Sequence, residues 1–355
     1  MKKLVLAALA IAAMAACTKS NVQYEQPGEI SLQPVAQKAT KAAVDGTTYP
    51  TSLNFNVWAW WGDHGADTPL ANFTNTTPYI AEGKFVSRND NSWGGATPYY
   101  WPTKGSLVFA GYSPADASGT FGYTLPSSSE TKGKFIVTDY VQSNDITKTH
   151  DLMWFDVTDK SYDQNSTDSK GVPVTFQHAL SWLTFKFKLA DGVTQHNWTI
   201  TNVKLTGIET TADFNSNSGW TEEATTKEVG VWSASGDVLP YLVTSEAKVL
   251  ESAENGVVVI PQSCAPETPA VDATPAVPAA AELVVTYKMK TYVNGVEPID
   301  QEVTLPLNGS QITGNKWLPG MHYTYTITFG GNEILIAPSV TKWADETPVV
   351  NIPVQ

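Results

Sequence analysis

Alternation of apolar and polar side chains, renewed at intervals along almost the whole chain, limits what this sequence can fold into. From Leu53 onward, Leu53, Phe55 and Val57 fall on one face and Asn54, Asn56 and Trp58 on the other. That period of two belongs to a half-buried strand. It recurs at Ser106–Tyr112, Lys134–Tyr140, Asp151–Phe155, Val172–Phe176, Leu183–Leu189, Trp198–Leu205, Val257–Ile260, Leu283–Val293 and Tyr323–Phe329. Clusters of Gly, Pro, Asn, Asp and Ser separate these runs, and no segment sustains a 3.6-residue period. The chain is predicted to be all-β, most simply a set of β-sandwiches.

Its 355 residues suffice for two ordinary domains. Only 16% are charged, yet 42% are hydrophobic and 11% aromatic, the composition of a folded protein with a polar, uncharged surface. The net charge is -13, and the 22 basic residues include a single arginine, Arg88. With no basic stripe to neutralise phosphates, nucleic acid is excluded as a partner. Beyond the first 17 residues no apolar run approaches the roughly 20 residues that span a bilayer as a helix.

The N-terminus opens with Met1-Lys2-Lys3, continues through an apolar stretch to Ala16 and reaches Cys17-Thr18-Lys19-Ser20. Residues 1–16 read as a signal peptide. Met14-Ala15-Ala16-Cys17 resembles a bacterial lipobox, in which Cys17 is acylated and becomes the new N-terminus. Such a lipid would tether the chain to a membrane leaflet at about 0.8 kcal/mol per buried CH₂. Cys264 is then the only other thiol, so no intramolecular disulfide is expected, and it reads as incidental.

Residues 17–44 hold one extended candidate, Glu29–Val35, followed by an aperiodic linker around Gln37–Ala43. An N-terminal domain is expected over 45–178 and a C-terminal one over 179–355. Residues 264–281 are too dense in Pro and Ala to pair in a sheet and are expected as a protruding loop.

Chemistry has little foothold. There is no Gly-x-Ser-x-Gly elbow, no His-Glu-x-x-His, no Walker loop and no Cys-x-x-Cys, so neither an enzyme nor a cofactor is expected. His64, His150, His178, His196 and His322 are dispersed and offer no metal set; His178 reads as a turn residue. Asp163–Asp168 lacks the central Gly and closing Glu of a calcium loop. The five Asn-x-Ser/Thr triplets read as turn and strand-end asparagines. Trp58, Trp60, Trp61, Trp93 and Trp101 admit a competing reading, a glycan-binding surface lipoprotein that stays lipid-anchored and monomeric.

Several motifs in succession resemble the fimbrillin family, the lipoprotein precursors of type V pili in Bacteroidota. They are Tyr99-Tyr100-Trp101-Pro102 with Leu107–Pro114, Val174–Phe185 with its His178-Ala179-Leu180 turn, Val259-Ile260-Pro261-Gln262, Trp317–Ile327 and Pro338–Trp343. The resemblance implies two transthyretin-like β-sandwich domains in tandem and a structural, non-enzymatic role as a pilus subunit serving cell adhesion. It further implies an outer-membrane lipoprotein precursor that a trypsin-like maturation protease cuts behind the first strand. Ala39-Thr40-Lys41-Ala42 occupies the place of the family's processing sequence, with Lys41 where the family has Arg and Lys38 as the neighbouring alternative. The vacated groove would be filled by the C-terminal strand of another pilus subunit. Here Thr347–Gln355 supplies such a strand, with Val350, Ile352 and Val354 at spacing two and no charge after Glu346.

Overall fold

In a computed structural model the chain is described over residues 28–36, 49–62, 77–88, 92–126, 133–143, 151–162, 171–193, 198–221, 232–233, 239–249, 257–264, 280–290, 297–309, 312–330 and 334–342. The described part is all-β apart from one 3-10 turn at Thr313–Asn315. In chain order the strands are β1 (Ser31–Ala36), β2 (Phe55–Gly62), β3 (Ile80–Ser87), β4 (Trp93–Gly95), β5 (Ser106–Ser113), β6 (Thr120–Thr124) and β7 (Lys134–Val141). Then come β8 (Met153–Lys160), β9 (Val172–His178), β10 (Ser181–Leu189), β11 (Trp198–Thr206), β12 (Thr211–Asn215), β13 (Gly219–Thr221) and β14 (Trp232–Ser233). The remainder are β15 (Tyr241–Leu242), β16 (Lys248–Val249), β17 (Val257–Val259), β18 (Glu282–Met289), β19 (Asp300–Pro306), β20 (Met321–Phe329) and β21 (Ile334–Lys342). Each of the ten alternating runs in the sequence contributes a strand.

Seven strands close into a barrel in the order β1-β4-β3-β2-β5-β8-β9. A ring with an odd number of strands cannot alternate direction all the way round, so one neighbouring pair must be parallel. That pair is β1 and β9, and every other pairing in the ring is antiparallel. Ile30, Leu32, Phe55, Val57, Phe85, Phe109, Phe155, Val174 and Phe176 are among the residues that fill one continuous core.

The outer wall of the barrel is buried too. β5 has no exposed residue: Leu107 and Phe109 join the first core, while Val108, Ala110 and Tyr112 join a second. Burial on both faces accounts for its unbroken apolar run. The covering layer is a four-stranded sheet in the order β13-β12-β7-β6, whose Phe135, Val137, Phe214 and Trp220 pack on Trp58, Trp60 and Trp154. Two of its strands, β12 and β13, come from beyond residue 178, so the chain returns to this layer after β10 and β11 have been laid down elsewhere.

The other two sheets face each other as a sandwich. One runs β16-β10-β20-β21 with β17 on β10, the other β14-β11-β18-β19 with β15 on β11. Phe185, Phe187, Tyr325 and Ile327 from the first meet Ile200, Val203, Leu205 and Val285 from the second. β10 joins the two regions, because Trp182 points into the barrel-side core and Leu183 into the sandwich core. Cys264 lies in the sandwich core, fully buried, with Sγ 2.9 Å from the Asn315 carbonyl.

Candidate functional site: the β1 seam

β1 obeys the period of two that its sequence sets. Ile30, Leu32 and Pro34 are buried, whereas Gln33 and Val35 are exposed. Removing Ile30 and Leu32 from water contributes about 1.5–3 kcal/mol each. Pro34 lacks an N–H, a tolerable loss in a strand so short of partners.

The backbone ties of β1 are uneven. Along β9 the parallel register runs from Leu32 opposite Val172 to Ala36 opposite Phe176. Along β4 only Ser31 opposite Gly94 and Leu32 opposite Trp93 pair. Before β1, the Ile30 amide donates to the Tyr99 carbonyl at 2.8 Å and the Trp101 amide donates to the Gly28 carbonyl at 3.1 Å. Gly171 enters β9 with φ +127, and a Cβ there would stand 2.8 Å from Gln33 Cγ, so a glycine lets the two strands approach.

One ion pair spans the seam. Arg88, at the end of β3, donates from Nη1 to Glu29 Oε2 at 3.0 Å and from Nη2 to Glu29 Oε1. Both partners are about one-third exposed, 35% for Arg88 and 28% for Glu29. Behind the seam, Tyr49 Oη lies 2.5 Å from Ser113 Oγ, and burial raises the Tyr49 hydroxyl above its ordinary pKa, so it remains protonated. Tyr49 also stacks on Phe176 of β9 at 5.0 Å.

His178 does not end a bare turn. It closes β9, and its Nδ1 lies 2.7 Å from Asp151 Oδ2, both side chains being almost fully buried. Asp151 precedes β8, and the register that sets Met153 opposite His178 brings the two together. In the sequence this partner is signalled only by the two alternating runs Asp151–Phe155 and Val172–Phe176, whose pairing brings the two residues together. His322 is placed separately, stacked on Trp182 at 3.6 Å with Nε2 2.9 Å from Thr184 Oγ1.

The tryptophan platform is not formed. Trp58, Trp60, Trp93 and Trp101 are no more than 8% exposed, and they pack in the two barrel-side cores. Trp61 is partly buried, with its indole N–H donated to the Lys104 carbonyl. A sugar could not lie flat on rings that other side chains already cover. Among the described residues no group of His, Cys, Asp and Glu could hold a metal ion. Cys17, Lys38, Lys41, Val350, Ile352 and Val354 lie outside the described residues, as do Asp163–Asp168, His64, His150 and His196.

One solved structure shares this architecture, and a second matches in coverage alone. A fimbrial protein from Bacteroides vulgatus aligns with a TM-score of 0.55 at 15% identity, over 88% of this chain and 99% of its own. The tip fimbrial protein Mfa3 from Porphyromonas gingivalis aligns at 10% identity over 89% of this chain and 100% of its own, with a TM-score of 0.37. At these identities the first likeness shows the fold alone, and the second carries no further argument. No curated protein sequence matches. The model of the fimbrillin-like family matches residues 40–343, most of the chain, and on that match the chain belongs to the fimbrillin-like family.

Proposed function

We propose that this chain is a structural subunit of a surface pilus, exported as a lipoprotein through Cys17 and matured by removal of β1. A trypsin-like protease would cut after Lys41 or Lys38, in the linker that follows β1. Loss of β1 would strip the barrel of its only parallel contact and expose the edges of β4 and β9 above an apolar groove. An extended strand from another subunit would refill that groove by β-augmentation, backbone bonds supplying affinity and alternate side chains the fit. Val350, Ile352 and Val354 would serve a further subunit in the same manner. Such contacts are heterologous and do not close, so they build a filament.

The observation that carries this reading is the position of β1. It is the ring's closing strand, it buries Ile30 and Leu32 completely, and its residues precede the family match, which begins at residue 40. The matched span therefore accounts for the whole ring except the strand that closes it.

Protein lacking the signal and Cys17, treated with limiting trypsin, tests the reading. Mass spectrometry locates the new N-terminus, and unheated SDS gels show any ladder. Cleavage at Lys38 or Lys41 followed by a ladder that disappears when residues 347–355 are deleted is the expected result. A cut chain that stays monomeric and retains β1 would overturn it.

A further inference from the structure

The seam has a polar end as well as an apolar floor. Arg88 is the chain's only arginine among 22 basic residues, and it lies where β1 begins. Its guanidinium lies against Gly94 of β4, where a Cβ on residue 94 would overlap it. Gly94 is the residue that pairs with Ser31, so this cradle is part of the groove wall, set on β4 and not on the strand that fills the groove. Guanidinium meets carboxylate in a two-bond fork that lysine cannot reproduce. Tyr100, bridged to Glu29, and Tyr79, whose hydroxyl donates to the Tyr100 carbonyl at 2.6 Å, border the same end with exposed rings.

Resting on the strand-exchange reading above, we infer that Arg88 selects the strand that enters the vacated groove. The strand it fits runs in the direction of β1 and carries Asp or Glu one residue before the first of three inward side chains, as Glu29 precedes Ile30, Leu32 and Pro34. The chain's own 347–355 segment does not meet this rule. With Val350, Ile352 and Val354 set in the inward positions, Val349 faces Arg88. An apolar side chain there cannot make the two-bond contact that Glu29 makes. The groove therefore prefers a strand that carries this carboxylate, and the 347–355 segment of another copy is the weaker occupant.

The test uses the full chain with a site-specific protease sequence placed within residues 37–48, cut and then offered fluorescent peptides. Three peptides are compared: residues 28–36, the same peptide with Glu29→Gln, and residues 347–355. The receivers are the native chain and the variants Arg88→Met and Arg88→Lys. Because the first comparison changes only the peptide, the fold of the receiver is not at issue.

On the native receiver the Glu29 peptide should bind about five-fold more tightly than its Gln form, the scale of a partly exposed two-bond ion pair. That preference should disappear with Arg88→Met and shrink with Arg88→Lys, and the 347–355 peptide should not respond to either change. Equal binding of the Glu29 and Gln peptides, or tightest binding by 347–355, overturns the inference while leaving strand exchange intact. Failure of every peptide to replace β1 overturns both.

Discussion

Leu32 sits opposite Val172 in a parallel ladder, although every other contact in the barrel is antiparallel. The two residues are far apart in sequence, and the odd count of seven strands forces such a junction somewhere in the ring. Placing it at β1 leaves the rest of the barrel as one antiparallel sheet running from β4 to β9. That sheet can keep its internal pairing with the seam open, since β1 contributes ladder bonds only to its two edges.

Leu32 is accordingly expected to act on stability and on seam retention together. Leu32→Ala should destabilise the uncut protein by about 2–4 kcal/mol, as large-to-small core changes do. Denaturant unfolding measures this as a lower midpoint. After a cut within residues 37–48, the same variant should release residues before the cut faster than the native chain, as followed by gel filtration.

His322 predicts acid sensitivity. Burial, aided by the positive charge of Lys186, lowers its pKa from 6.5 to about 4. The unfolded chain therefore binds more protons than the folded one between these values, and stability rises with pH across that window. The contribution is complete above pH 6.5 and fades as pH falls to 4. It amounts to about 1–3 kcal/mol, discounted for the side chain's partial exposure. Unfolding measured at pH 7 and pH 4.5 should show a smaller loss in His322→Gln, which cannot titrate, than in the native chain.

Eleven of the strands were legible because burial on one face leaves a period of two, whereas strands such as β6 and β19, which bury almost nothing, left no such run. Leu53, Phe55 and Val57 announced β2, and the alternation around Glu29–Val35 announced β1. The sequence did not disclose that the opposite face of β2 is also a core, because Trp58 and Trp60 can serve equally as exposed rings or buried ones. Their partners, Phe214 and Trp220, arrive more than 150 residues later on strands only five and three residues long. β21 leaves no unbroken run for another reason: Pro338 interrupts it, which an edge strand tolerates because its missing N–H can face away from the ladder. The seam was legible as a strand, but Arg88 was not, since a lone arginine just past a strand end carries no period and its partner Glu29 lies 59 residues earlier.

The pair of His178 and Asp151 should be structural rather than catalytic. His178→Ala strands a buried carboxylate that has lost its hydrogen-bond partner, with an expected loss of about 3 kcal/mol or more. His178→Ala combined with Asp151→Leu should recover part of that loss, because the polar group left behind is then gone too. A double-mutant cycle by denaturant unfolding gives the coupling, and purely additive losses would contradict the argument.

Trp220 tests whether the layer outside the barrel depends on the strands that return from beyond residue 178. Its indole N–H donates to the Ala179 carbonyl at 2.6 Å, at the junction of β9 and β10, while its ring packs on Tyr140 of β7 and Phe214 of β12 at 5.2 and 5.0 Å. One side chain thus joins the covering sheet to the turn between barrel and sandwich. Trp220→Phe keeps most of the apolar area but leaves the carbonyl without that donor, for an expected loss of about 1–2 kcal/mol. Trp220→Ala opens a cavity beneath β13 as well and should lose about 3–5 kcal/mol. If the covering sheet and the barrel unfold as one unit, tryptophan fluorescence and far-ultraviolet dichroism should follow a single transition in the Phe variant. In the Ala variant the covering sheet should loosen first, seen as faster amide exchange in β6, β7, β12 and β13 while the β2 and β5 amides stay protected. Uniform acceleration across both layers would show instead that Trp220 holds no boundary between them.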